Sequence, residues 1–384
     1  MRIVDTTEGL KALVHELEGA PYLALDTEFM RDQTYWPKLC LLQVASPKVA
    51  AIVDPLADGM DLAPFHELLK PNGTVKVFHA ARQDIEIFWH QGGVIPDPLF
   101  DSQIAAMVCG FGDSASYETL ARKLAGADVD KSSRFTDWSR RPLSQKQLDY
   151  ALADVTHLRV IYEKLSAELA RSGRAGWVAE EIEALKREDL YELDPANAWK
   201  RLKPRTHSKK FLAMLAAVAA WREQEAQTRD IPRGRVLKDE ALSEIAAHPP
   251  DSAERLEHIR AVPKGFAASR MGRGLMEAIE KGRTGTAPPG LEYDRPRRQR
   301  EPSQSSVDLL KTLLRLRSED ARVAPRLIAN ADDIERIAAF EDEGVPALHG
   351  WRADVFGNDA KLLREGKLAI ALEKGDAVIV ELEE

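Results

Sequence analysis

The segment YLALDTEF, residues 22–29, decides how this chain is read. Its first four residues are apolar and mark a buried β-strand, which then runs into Asp26 and Glu28. On a strand, an i, i+2 spacing places both side chains on one face. Two like charges so disposed repel, and ionising both needs a counter-charge. Alone, a DxE step is ordinary where a strand runs out into solvent. Its meaning depends on what the rest of the chain brings beside it.

Two further acids sit against apolar sequence. Asp84, in FHAARQDIEIF (78–88), follows a strand-like run and a short loop. It falls early in a predicted helix, where the helix dipole by itself accommodates an acid. Asp154, in LDYALADVTHL (148–158), has Tyr150 four residues before it, so the two share a helical face. Ser144-Gln-Lys-Gln resembles a capping box and sets both well inside a helix predicted over 144–165. If the fold gathers these four carboxylates, it builds a negative pocket that divalent cations neutralise. Carboxylate oxygens are hard ligands and suit Mg²⁺ or Mn²⁺.

Outward from these segments, the first 165 residues alternate strand and helix patterns. Strands are predicted over 22–27, 39–45, 50–53 and 75–78, and helices over 62–69, 82–90, 101–109 and 117–124. Three strands in close succession followed by β–α alternation fit an α/β layer with a mixed sheet. Beyond an acidic segment (180–193), only helical patterns are read, over 211–221, 239–245, 253–259, 274–281, 307–316, 332–340 and 359–365, with a final apolar run at 368–372. The Pro-, Gly-, Ser- and Arg-rich stretch 284–306 is the clearest linker. The expected organisation is an α/β domain over 1–170, a connector over 171–205, helical domains over 206–283 and 307–384, and a linker between them. The two helical blocks have similar length and helix order, as a degenerate duplication would.

At 384 residues, two or three domains are expected. No run of about 18 apolar residues marks a transmembrane helix, and the first twenty residues lack a signal peptide's apolar core. Cys40 and Cys109 read as small buried hydrophobes in a reducing cytosol, so a cytoplasmic protein is expected; a monomer is expected as well. The net charge of −8 hides a basic stretch, with eleven Lys/Arg against three acids between Lys200 and Lys238. Phosphate binding follows such local patches rather than overall pI.

The order strand DxE, strand-to-helix Asp, helix Y-x3-D resembles the three motifs of the DEDD exonuclease superfamily, in its tyrosine branch. LDTEF, LCLLQVAS (39–46) and FHAARQD are similar to the corresponding words of ribonuclease D proteins. The segment WREQEAQTRDIPRGRVLKDEALSEIA (221–246) resembles an HRDC domain. PRLIANADDIERI (325–337) and GWRADVFG (350–357) resemble a second, divergent copy. This resemblance implies an RNase H-like exonuclease domain with a mixed sheet, followed by two all-α HRDC-like domains. It further implies that Asp26, Glu28, Asp84 and Asp154 bind two Mg²⁺ or Mn²⁺ ions. The activity implied is 3′→5′ hydrolysis of RNA ends, with tRNA precursors as the substrate. A tyrosine hydroxyl is unionised near pH 7, so Tyr150 orients water more plausibly than it acts as a base.

Thr27, Phe29 and Gln43 are further candidates for substrate contact, through base stacking at Phe29 and a hydrogen bond to the terminal nucleotide at Gln43. Gln43 on a buried strand could instead satisfy neighbouring backbone. Trp36 reads as core, and Trp138 as a candidate lining of the RNA path. His79 and His90 read as structural, and Asp97 and Asp101 as turn and helix cap. A proofreading-type DNA exonuclease and a non-catalytic RNA-binding protein on a nuclease fold are the competing readings. The complete set of five motif residues speaks against the second.

Overall fold

The computed structural model of the chain describes residues 1–133, 136–204, 206, 208–285 and 301–382. Most of the linker expected over 284–306 lies outside these residues. The apolar run that opens YLALDTEF forms strand β2 (Tyr22–Met30), longer than expected because pairing continues past both acids. Around it the sheet orders β1 (Ile3–Val4), β4 (Ala50–Val53), β3 (Lys38–Ala45), β2, β5 (Val75–Phe78) and β6 (Leu99–Asp101). β2 pairs antiparallel with β3 and parallel with β5, and β3 pairs antiparallel with β4. The sheet is therefore mixed. The two-residue edge strand β1 pairs parallel with β4 and was too short to carry a sequence signal.

Among the described residues, seven α-helices attend this sheet: α1 (Thr7–Leu17), α2 (Ala63–Leu69), α3 (Arg82–Gly92), α4 (Ser102–Val108), α5 (Tyr117–Leu120), α6 (Gln145–Ser172) and α7 (Ala175–Leu185). The helix expected over 117–124 is shorter because it passes into a π-turn at Ala121–Ala125. The capping box at Ser144 and Gln147 starts α6, which buries Ala151, Asp154, Val155 and Leu158. Trp138 is 2 % exposed and packs with Leu41, Ile52 and Ala151, so it is a core residue and does not line an RNA path.

The next block contains α8 (Lys209–Arg229), α9 (Arg233–Val236), α10 (Asp239–Ala247), α11 (Ala253–Glu257) and α12 (Arg270–Thr284), with its own apolar core. The last contains α13 (Gln304–Ala321), α14 (Pro325–Ile328), α15 (Ala331–Ala338), α16 (Gly350–Arg352) and α17 (Asn358–Glu365). It is not wholly helical. The segment 368–372 belongs to a hairpin of β7 (Leu368–Glu373) and β8 (Asp376–Glu381). Lys374 and Gly375 both have positive φ, as a two-residue hairpin turn of matching twist requires.

Both helical blocks dock on the α/β domain. The Asp230 carboxylate accepts from the backbone N–H groups of Tyr35 (3.0 Å) and Trp36 (2.9 Å), while Trp36 stacks on His90 at 3.9 Å. The Tyr35 hydroxyl donates to Glu223 and accepts from Arg233 (2.8 Å) and Gln227 (3.2 Å). Glu223 is 2 % exposed, and its pairing with Arg233 holds the carboxyl below its usual range despite burial. Tyr35→Phe removes a donor from this buried carboxylate, so we expect a loss of about 1–3 kcal/mol in stability. Urea unfolding of the full chain measures it, and an unchanged midpoint would mean that the network contributes nothing.

The last block meets α4 and α7. Ala324 N donates to Met107 O (2.9 Å), Trp351 stacks on Trp177 at 4.5 Å, and Arg352 pairs with Glu180 and Glu181.

Candidate active site

The i, i+2 spacing on β2 puts Asp26 and Glu28 on the face that α6 crosses, and the pairing is irregular just beyond Glu28. Across the β2–β3 ladder Asp26 lies opposite Gln43. The i, i+4 spacing on α6 then brings Tyr150 and Asp154 over the same place. One carboxylate oxygen each from Asp26, Glu28 and Asp154 lie within 4.8 Å of one another. Segments more than a hundred residues apart thus supply one cluster.

Asp84 enters from β5 and α3. Ala80, just after β5, has φ of 60°, a conformation that needs support in a non-glycine residue. Asp101 provides it, accepting from the N–H groups of Ala80 (3.1 Å) and Ala81 (2.8 Å) while also capping α4. This turn starts α3 so that Asp84 falls in its first turn, where its carboxylate accepts from the Thr27 hydroxyl. Asp101 is the helix cap expected from the sequence, and it also shapes the turn that presents Asp84.

Asp26, Glu28, Asp84, Tyr150 and Asp154 line a cavity of about 550 Å³, together with Thr27, Phe29, His79, Gln83 and Tyr117. Gln43 is not among the lining residues. It is fully buried, and neither its amide nitrogen nor its oxygen has a hydrogen-bond partner. His79 and Tyr117 were not singled out for the site from sequence. The His79 ring meets Ser102 Oγ at 2.9 Å, and the Tyr117 hydroxyl donates to the Asp154 backbone carbonyl. Nothing in their spacing marks them, because the cavity forms only when β5, α5 and α6 meet.

Burial dominates the electrostatics. It pushes Asp26 up to about 7 and Asp154 up to about 8, the latter helped by the neighbouring Asp26 charge. Asp84 is raised well above the carboxylate range by burial and by Asp26. Burial and then the Asp154 charge raise the Tyr150 hydroxyl, so it stays protonated at neutral pH. The cluster therefore costs free energy to ionise without a counter-charge. Asp154 Oδ1 is buried with no hydrogen-bond partner, as expected of an oxygen whose ligand is a cation. The donor set is all oxygen, which fits hard divalent cations.

The sign of the pH dependence follows. Asp26 and Asp154 have folded values above the unfolded value of about 4. Between those limits the folded state holds more protons, so stability contributed by these groups is lost as pH rises. In chelator the melting temperature should fall between pH 5 and 8, and Mg²⁺ or Mn²⁺ should remove most of that fall. A chelated protein whose melting temperature is indifferent to both pH and cation would contradict the cluster.

Residues 1–170 match the family model described as 3′-5′ exonuclease, and residues 211–279 match that of the HRDC domain. Over 381 residues the chain is 49 % identical to ribonuclease D of Nitrobacter hamburgensis, covering 99 % of this chain and 100 % of that one. The chain belongs to the ribonuclease D family. Ribonuclease D of Granulibacter bethesdensis is 48 % identical over 97 % of this chain and 94 % of its own. The crystal structure of Escherichia coli RNase D, described as an exoribonuclease involved in structured RNA processing, superposes with a TM-score of 0.78 at 27 % identity. It covers 95 % of this chain and 98 % of the E. coli chain. The ribonuclease D fold thus extends across the α/β domain and the helix-rich C-terminal region. Divalent metal use comes with this exonuclease fold and agrees with the acidic cluster. Among the described residues, no helix is long and apolar enough to cross a membrane.

Proposed function

We propose that this chain is a 3′→5′ exoribonuclease that hydrolyses RNA ends to nucleoside 5′-monophosphates, with tRNA precursors as its substrate. The observation that carries this reading is the convergence of Asp26, Glu28 and Asp154, with Asp84 and Tyr150, in one cavity. The four carboxylates would hold two divalent cations, Mg²⁺ or Mn²⁺. When bound, these supply the positive charge that acidifies an attacking water and screens the departing 3′ oxygen.

The protein's own groups do the positioning. The Thr27 hydroxyl fixes the Asp84 carboxylate, and the Tyr117 hydroxyl ties down the turn of α6 that carries Asp154. Tyr150, protonated and at the cavity wall, hydrogen-bonds the attacking water and orients it toward the phosphorus. Phe29 offers a ring to the terminal base at the cavity wall, a contact that tolerates any base. Gln43, fully buried opposite Asp26 on β3 and absent from the cavity lining, packs inside the domain instead of touching the nucleotide.

Matched RNA and DNA oligonucleotides with labelled 5′ ends test the reading. RNA should shorten stepwise from its 3′ end in Mg²⁺ or Mn²⁺, releasing 5′-monophosphates, with DNA cut far more slowly. Equal rates on DNA would point to a proofreading-type enzyme. Binding without cleavage would leave only an RNA-binding protein.

A further inference from the structure

The catalytic cavity poses an electrostatic problem. Among its described lining residues are five acids, Asp26, Glu28, Asp84, Glu118 and Asp154, and no Lys or Arg. RNA carries a negative charge at every linkage, and binding such a chain depends on basic side chains that answer its phosphates. Divalent cations address the linkage being cut. Phosphates further up the strand must still pass an acidic rim.

Among the described residues, two basic side chains are hydrogen-bonded to lining residues of that rim. Arg122 binds Glu118 at 3.0 Å and lies 3.6 Å from Asp128, so its charge is already answered. Arg326 comes from the other end of the chain, in the first turn of α14. One of its terminal nitrogens donates to the hydroxyl of Ser114, which lines the cavity. Its guanidinium forms no ion pair among the described residues, and the side chain is exposed.

The position of Arg326 is fixed by several independent contacts. Its backbone N–H points at Asp113 Oδ1 (3.5 Å), and two residues earlier Ala324 N donates to Met107 O (2.9 Å). Gly110 lies so close to the preceding turn that a Cβ there would stand 2.9 Å from Arg322 O. The Trp351–Trp177 stack and the Arg352 pairs hold the rest of the block against α7. A guanidinium held at the mouth of a cleft, with donors still free, has the geometry that binds phosphate oxygens.

We propose that Arg326 is a substrate-binding residue whose guanidinium takes a phosphodiester upstream of the 3′-terminal nucleotide. On this assignment the last helical block is part of the catalytic cleft. The assignment rests on the exoribonuclease reading above.

The test compares full-length wild type, Arg326→Ala and Arg326→Lys on a short single-stranded RNA, at several salt concentrations. Arg326→Ala should raise KM about tenfold, the loss expected for one charge-assisted contact, with kcat within about twofold. The slope of log KM against log salt should shrink by about 0.7, the share of one phosphate on a single strand. Its melting temperature should match wild type, and Arg326→Lys should keep the wild-type salt slope. An unchanged KM overturns the assignment. So does a raised KM with an unchanged salt slope and a lowered melting temperature, which would make Arg326 a packing residue. A wild-type chain unable to degrade RNA would overturn the exoribonuclease reading, and this assignment with it.

Discussion

Asp26→Asn should reduce Mg²⁺-dependent RNA degradation by more than the 10²–10³-fold that loss of one transition-state hydrogen bond typically costs. The change keeps shape and removes charge at the centre of the cluster. Asp26 lies within reach of both Glu28 and Asp154, and its charge acts on Asp84 as well. Its loss therefore weakens cation binding at every other carboxylate. The fold should survive, and the metal-free variant should be more stable than wild type at pH 8, because a buried charge has been removed. RNA binding by the helical blocks should persist. Turnover assays, chelator melting curves and RNA binding, run on one preparation, separate these effects. Full activity in Asp26→Asn would rule out the carboxylate cluster as the catalytic centre.

Tyr150→Phe should lower kcat by about a hundredfold while KM stays within a few-fold, because the hydroxyl acts on the attacking water and not on substrate affinity. The packing argument supports a clean substitution. The Tyr150 ring sits 6.1 Å from Trp138, against the Leu41 and Ile52 cluster, and those contacts are kept by phenylalanine. Since the hydroxyl stays protonated well above neutral pH, the wild-type rate should show no titration assignable to it in the neutral range. A large rise in KM with unchanged kcat would make Tyr150 a binding residue instead.

Much of this site was legible because its signals are local. The one-face spacing of Asp26 and Glu28, the cap that starts α6 and the Tyr150–Asp154 step are each set by strand or helix geometry alone. Residues that depend on long-range packing were not legible. Tyr117 and His79 reach the cavity only through the meeting of α5, β5 and α6. Trp138 and Gln43 looked like RNA contacts in sequence, yet both are sealed under the sheet–helix interface. Arg326 stands some 300 residues from β2 and reaches the rim through tertiary docking.

The same distinction explains the fold. The mixed sheet follows from the close succession of β2, β3 and β4, which hairpin-like connections allow. The hairpin of β7 and β8 went unread because an apolar run of five residues fits helix or strand equally well. Its deciding feature is the Lys374–Gly375 turn, which is legible only once both strands are in view. The docking of the helical blocks rests on single buried contacts such as Tyr35–Glu223, which no periodicity announces.

The most direct test of the central claim is a crystal of the full chain grown with Mn²⁺ and a short RNA 3′ end, read by anomalous scattering. Two manganese peaks among Asp26, Glu28, Asp84 and Asp154, with the terminal phosphodiester beside them and Tyr150 facing the attack side, are the predicted result. Manganese bound elsewhere, or an RNA 3′ end seated away from this cluster, would contradict it.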